Sequence, residues 1–274
     1  MTAPVLTACG GASDVGARRK LNEDAYLASA PLFIVADGMG GHDAGEIASA
    51  TVIEHFSSLI GQEALSIGQV RDALASARSA VGSLGQHGGP GAGAGTTLSG
   101  VAIAAVDGLG YWLVLNIGDS RTYQFAGGVL EQITVDHSYV QELIDDGEIT
   151  PEQAKSDRRR NIITRAIGAG SVGDADYWLF PAEIGDRMLV CSDGLTTELS
   201  DERIAEVLGA ESDPQRAADI LTADAVQAGG RDNVTVVVVD ALTVASARGV
   251  HVQADEAEEL DDTRPRAARD GGMR

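Results

Sequence analysis

Cysteine is nearly absent: Cys9 and Cys191 are the only two in 274 residues, far apart and without a partner motif. That excludes a disulfide framework and a thiolate metal site, and it fits a reducing cytosol. Positive charge is also short, with 20 lysines and arginines against 41 aspartates and glutamates, a formal net charge of −21. A surface this acidic repels nucleic-acid phosphates, which removes DNA and RNA as principal ligands. It is equally awkward for any phosphorylated substrate, which would need arginines or bound cations at its site. Long apolar runs are missing too, none approaching the ~20 residues that span a bilayer. The Met1-Thr2-Ala3-Pro4 start carries no basic stretch followed by an apolar core, so no signal peptide is expected. The expectation is a soluble, cytoplasmic protein without a membrane span.

What is present is a large apolar content, 44%, enough for one sizeable core. Pro31 to Ala36 is a continuous apolar run ending at Asp37-Gly38, which predicts a buried strand entering a turn. Leu98 to Val106, Tyr111 to Ile117, Arg121 to Phe125 and Val129 to Thr134 read as successive strands. The short breaks between them, Asp107-Gly108, Gly118-Asp119 and Gly127-Gly128, predict antiparallel hairpins. Arg187 to Cys191 and Val234 to Val239 add two buried strands. Helical stripes run through Val52, Ile53, Phe56, Leu59 and Ile60, and through Val70, Leu74, Ala77, Val81 and Leu84. Thr150-Pro151 and Asp213-Pro214 read as N-caps followed by proline, and Gly229-Gly230 ends the last helix. Antiparallel strands with paired helices predict an α+β sandwich.

Gly85 to Gly95 is glycine-rich but lacks the P-loop lysine and follows a helix, so it reads as a flexible connection. After Leu242 the apolar periodicity stops. Residues 1–242 are therefore expected to form the folded domain and 243–274 a disordered tail, acidic from Asp255 to Asp262 and then rich in arginine and glycine.

Aspartates recur beside glycine at strand ends: Asp37 before Gly38, Asp119 after Gly118, Asp193 before Gly194, and Asp232 after Gly230-Arg231. One Asp-Gly is an ordinary turn. Four carboxylates carried to the ends of core strands ask for solvation, pairing or metal. If they converge, hard divalent cations would remove their repulsion, and with few histidines Mg²⁺ or Mn²⁺ suits the site better than Zn²⁺. Composition does not bring the four together. Arg19, four residues before the Glu23-Asp24 pair, has the forked geometry that grips phosphate.

The order of these blocks strongly resembles the PPM family, the metal-dependent type 2C serine/threonine protein phosphatases, in its bacterial form. The blocks are Gly16 to Asp24, Ala36 to His42, Gly95 to Leu98, Asn116 to Arg121, Asp136-His137-Ser138, Ile163 to Gly168, Cys191 to Leu195, and Arg231 to Thr235. The resemblance implies two facing antiparallel sheets flanked by helix pairs, with metals in a cleft at one sheet edge. It implies that Asp37 bridges two cations, that Asp193 and Asp232 complete the first, and that the Gly38 carbonyl and Glu23 complete the second. Asp119 with Asp193 matches a weaker third site, and Arg19 the phosphate clasp. Met39 stands where many eukaryotic members carry histidine, which leaves His42, or a metal-bound water, as the candidate proton donor.

Between Asp136 and Gly168 the chain resembles the family's mobile flap, but Asp157-Arg158 replaces His-Pro and is followed by Arg159 and Arg160. The implied partners are phosphorylated proteins, including serine/threonine kinases and their substrates. Thr263, between an acidic run and arginines, is a candidate mark for a phosphothreonine-binding partner. Three competing readings are a silent phosphoprotein-binding module, which the retained aspartates oppose, a phosphatase for a small metabolite or nucleotide, and a chain that is mainly a scaffold through its tail.

Overall fold

The computed structural model describes residues 3–40, 44–84, 93–171 and 173–246. His42, most of the glycine-rich connection, and the tail with Thr263 lie outside the described residues.

Two antiparallel sheets stack on each other. The first runs in the order β1 (Val5–Asp14), β12 (Val234–Val244), β11 (Arg187–Cys191), β7 (Arg121–Ala126), β8 (Val129–Gln132). The second runs β10 (Asp176–Pro181), β6 (Leu109–Ile117), β5 (Leu98–Val106), β3 (Leu32–Met39), β4 (Gly95–Thr96), β9 (Ile167–Gly168), with β2 (Asp24–Ser29) also paired to β3.

Side chains alternate across each strand, and here both faces are covered. Phe33, Val35, Val101, Ile103, Trp112 and Val114 point between the sheets and meet Met188, Val190, Val237 and Val239. Their neighbours Leu32, Ile34 and Ala36 point outward onto α1 (Ala44–Ser57) and α2 (Ile67–Leu84), against Val52, Phe56, Val70, Leu74 and Val81. On the far side, Leu189, Cys191, Val236 and Val238 meet Ile204, Leu208, Leu221 and Ala225 of α6 (Asp201–Ala210) and α7 (Pro214–Ala228). The result is four layers, helices outside and sheets inside. It explains why the central strands read as unbroken apolar runs.

The caps form as expected. Thr150 and Gln153 make a reciprocal capping box on α4 (Pro151–Ala154), Asp213 caps α7, and Gly229 closes it. The hairpins at Asp107-Gly108 and Gly127-Gly128 are present, with positive φ at all four residues. The third expected hairpin is not. At Gly118-Asp119 the chain leaves the second sheet and enters the first, so β6 and β7 are partners in neither. Gly118, at φ 109, lies against Thr97, where an added Cβ would come within 2.5 Å of Thr97 Cγ2. The close approach turns the chain across the sandwich instead of back along its own sheet. Gly95, read as part of the loose connection, pairs with both Met39 and Gly168. β12 continues through Leu242 to a buried Val244. Among the described residues no helix is long and apolar enough to cross a membrane.

Candidate active site

The sheet-changing turn is what brings Asp119 to the other aspartates. Asp37 lies within β3, and Asp24 of β2 is its direct cross-strand partner. Asp193 opens α5 (Asp193–Glu198) directly after β11, and Asp232 stands just before β12. Each is held by its backbone or its neighbours. Asp37 N–H donates to Thr97 Oγ1 (3.0 Å), and its carbonyl accepts from Thr97 N (2.9 Å) and Thr96 Oγ1 (2.9 Å). Thr97 Oγ1 in turn lies 2.7 Å from Ser120 Oγ, tying β3 to the Asp119 turn.

The loop between β1 and β2, which carries Arg19 and Glu23, is stitched down by Asn233. Its Nδ2 donates to the carbonyls of Val15 (3.0 Å) and Leu21 (2.9 Å), and its Oδ1 accepts from Glu23 N (2.9 Å). Glu23 O accepts from Gly38 N (3.1 Å) and from Ser49 Oγ of α1 (2.6 Å). A side chain at Gly45 would come within 2.5 Å of Glu23 Oε1, so the start of α1 can close over this carboxylate only because it is bare. Arg19 sits at the mouth, its Nη2 2.7 Å from Asp232 Oδ2 and its Nη1 3.7 Å from Glu23 Oε2.

The electrostatics follow from this crowding. Lost hydration, and then the charges of Asp24, Asp193, Asp119 and Asp232, raise Asp37 well above the usual carboxylate range. Burial and the charges of Asp193 and Asp136 do the same to Asp119. Asp24 is pushed up to about 7 by burial, even though Thr235 Oγ1 (2.7 Å) and Ser192 Oγ (2.8 Å) both donate to its Oδ2. Asp193 rises to about 6, through burial and Asp232, with Arg121, Arg160 and Arg19 pulling it back.

Thus Asp37, Asp119, Asp193 and Asp232, with Arg19, Glu23 and Gly38, come together in one cleft. The flap residues behave differently from one another. The segment from Ser138 to Ile163 is pinched shut by a bridge between those two residues and carries α3 (Tyr139–Asp145) and α4. Arg159 forks onto Asp157 (3.0 and 2.8 Å) and stacks over the Tyr139 ring, while Arg158 is exposed. Arg160 is the flap cation whose charge is felt at Asp193.

Three residues in the quoted motifs have a role that the sequence alone does not reveal: Asp24, Thr97 and Asn233. Their signal was position within those blocks. Their function as cross-links is visible only when distant strands are paired.

The arrangement fits hard divalent cations. The donors are carboxylate and carbonyl oxygens. Asp24 Oδ1 and Asp119 Oδ1 are buried with no hydrogen-bond partner, as oxygens reserved for a cation would be. Five carboxylates repel one another across the cleft, and a bound cation would reverse the sign of that interaction. Among the described residues no three side chains already close into a finished ligand cage. Arg19 supplies a positive partner for Asp232.

Comparison with known proteins agrees. Residues 16–223 match the family model of protein phosphatase 2C. The chain is 40% identical over 232 residues to the serine/threonine protein phosphatase PstP of Mycobacterium tuberculosis, covering 84% of this chain and 44% of that protein, so it spans under half the length of that relative. It is 34% identical over 217 residues to the serine/threonine phosphatase stp of Listeria monocytogenes, covering 77% of this chain and 84% of the relative. The crystal structure of the PstP catalytic domain in complex with two manganese ions superposes with a TM-score of 0.76 at 38% identity, covering 85% of this chain and 97% of that one. With sheets, cleft and sequence in agreement, this chain belongs to the protein phosphatase 2C family.

Proposed function

We propose that the chain hydrolyses phosphoserine and phosphothreonine in proteins, opposing serine/threonine kinases in the cytosol, and that it requires Mg²⁺ or Mn²⁺. The observation that carries this reading is the meeting of Asp37, Asp119, Asp193 and Asp232, from four separate stretches of chain, beneath the guanidinium of Arg19. Asp37 would be shared by two cations, with Asp193 and Asp232 on one and the Gly38 carbonyl and Glu23 on the other. Asp119 with Asp193 would hold a weaker third. Bound there, the cations supply a water of lowered pKa and positive charge toward the phosphoryl oxygens.

The chain's own groups do the rest. Arg19, at the cleft mouth, turns from Asp232 to fork onto the phosphate and neutralise equatorial charge. Asp24 holds Ser192 and Thr235 in place at the ends of β11 and β12, and so aligns Asp193 and Asp232. His42 is the candidate donor of a proton to the departing alkoxide. The flap, with Asp157, Arg158, Arg159 and Arg160, lies beside the substrate, Arg160 facing the Asp193 side. The catalytic unit runs to the end of β12 at Val244, two residues beyond the expected boundary at 242, and the chain beyond it serves partners, Thr263 being its candidate phosphothreonine mark.

The test is phosphate release from phosphoserine and phosphothreonine peptides with Mn²⁺, against small phosphoesters. Turnover that prefers peptides, stops with EDTA and drops to background in Asp37→Asn supports the proposal. Undiminished turnover after both Asp193 and Asp232 become alanine overturns it.

A further inference from the structure

We propose that His137 is a positioning residue that couples the flap to the turn carrying Asp119. Its imidazole is buried, 5% exposed, and lies where three parts of the chain meet. His137 N–H donates to Gly118 O (2.9 Å), and Gly118 N–H donates back to His137 Nδ1 (3.1 Å). Two reciprocal bonds thus clamp the residue immediately before Asp119. The His137 carbonyl accepts from Thr164 N (2.8 Å), next to the Ser138–Ile163 bridge that closes the flap.

Because Nδ1 accepts, the hydrogen-bond network assigns the ring proton to Nε2, which then donates to Asp176 Oδ2 of β10 (3.0 Å). Arg165, leaving the flap, holds the other oxygen of Asp176 (Nη1 to Oδ1, 3.2 Å), and the same Nη1 lies 3.2 Å from His137 Nε2, which, carrying the proton, leaves Asp176 as the acceptor for both. A carboxylate orienting an imidazole that in turn orients a backbone turn is a chain of single-geometry contacts. Rotation of the flap stem is therefore transmitted to Asp119, whose Oδ1 is buried and unpartnered. Cation occupancy at Asp119 and the posture of the flap become one equilibrium, each biasing the other.

This rests on reading Asp119 as a cation ligand. The experiment compares wild type, His137→Gln and His137→Asn, measuring Mn²⁺ binding by calorimetry and tryptic cleavage at Arg158 to Arg160 with and without Mn²⁺. Glutamine retains a donor toward Asp176 but offers Gly118 no acceptor. Asparagine places an oxygen where Nδ1 stood. The expected result is that Mn²⁺ slows flap cleavage in wild type. In His137→Gln, Mn²⁺ binding at the weakest site drops ~10-fold or more and cleavage no longer responds to Mn²⁺. His137→Asn recovers most of both. Melting in EDTA identifies a variant that fails to fold. Asp176→Ala, which releases the tautomer from the half-exposed side, must then move both readouts in the same direction. If Mn²⁺ binds wild type but flap cleavage ignores it, or if His137→Gln and Asp176→Ala behave as wild type, the coupling is wrong and the active-site reading stands. If wild type takes up no Mn²⁺, both fall.

Discussion

Arg19 and Asp232, 213 positions apart in the chain, are joined by a 2.7 Å hydrogen bond from Nη2 to Oδ2. The guanidinium that would grip the substrate phosphate rests on a carboxylate that would bind a cation. Under the proposed function, occupation of the cleft by metal would release the arginine toward the phosphate.

Arg19→Ala should therefore act chiefly on substrate. Loss of a charged hydrogen bond costs about 1.5–3 kcal/mol, which is ~10-fold or more in kcat/KM. Most of it should appear in KM for phosphopeptides. Arg19→Lys should recover little, because a point charge does not reproduce the fork. Unchanged kcat/KM in both variants would contradict the assignment.

Asp24 faces Asp37 directly across β2 and β3, an arrangement that is destabilising between like charges. Asp24→Asn removes that repulsion and keeps the shape. In EDTA the variant should melt higher, by about 2–4 °C for each kcal/mol relieved, while the gain in melting temperature on adding Mn²⁺ should shrink. Calorimetric melting under both conditions checks the opposed signs.

The metal-free protein should lose stability as pH rises from 5.5 to 7.5. In the fold Asp24 stands at about 7 and Asp193 at about 6, both above the usual 3.8. Between the lower and upper values the folded protein keeps protons that the unfolded chain has released, so stability falls with rising pH across that window. Saturating Mn²⁺ binds the ionised carboxylates and should reverse the slope. A metal-free melting temperature that climbs over this range would refute the account, as would an equal slope in Asp24→Asn.

Asn233→Ala should weaken the stitch between the Arg19 loop and β12. It would orphan the Glu23 N–H and free the carbonyls of Val15 and Leu21. Each buried group left unpaired costs about 1–3 kcal/mol. The expected readout is a lower melting temperature together with a raised Mn²⁺ requirement, through misplacement of Glu23. A drop in stability alone, with metal dependence intact, would restrict Asn233 to folding.

The motifs carried much of this site in legible form. Asp37, Asp193 and Asp232 announce themselves as charges at the edges of apolar strands, and the strands Leu98–Val106 and Arg187–Cys191 have the bounds that their hydrophobic runs predicted. β1 was missed because Cys9 to Ala12 carries two glycines and shows no alternation. It is a strand only because β12 pairs along its whole length. In the sequence Arg158 to Arg160 form a basic cluster, yet Asp157 and the Tyr139 ring already engage Arg159.

Local chemistry thus decided which segments are strands, where helices start and which residues carry charge, since propensity, capping and alternation act over a few neighbouring residues. Whether Gly118-Asp119 would fold back as a hairpin or cross to the opposite sheet was decided by contact with Thr97, 21 positions earlier, and by the pairing of β7 with β11. Long-range packing and the repulsion among gathered carboxylates exist only once the two sheets have closed on each other. That closure converts four ordinary-looking aspartates into a single site.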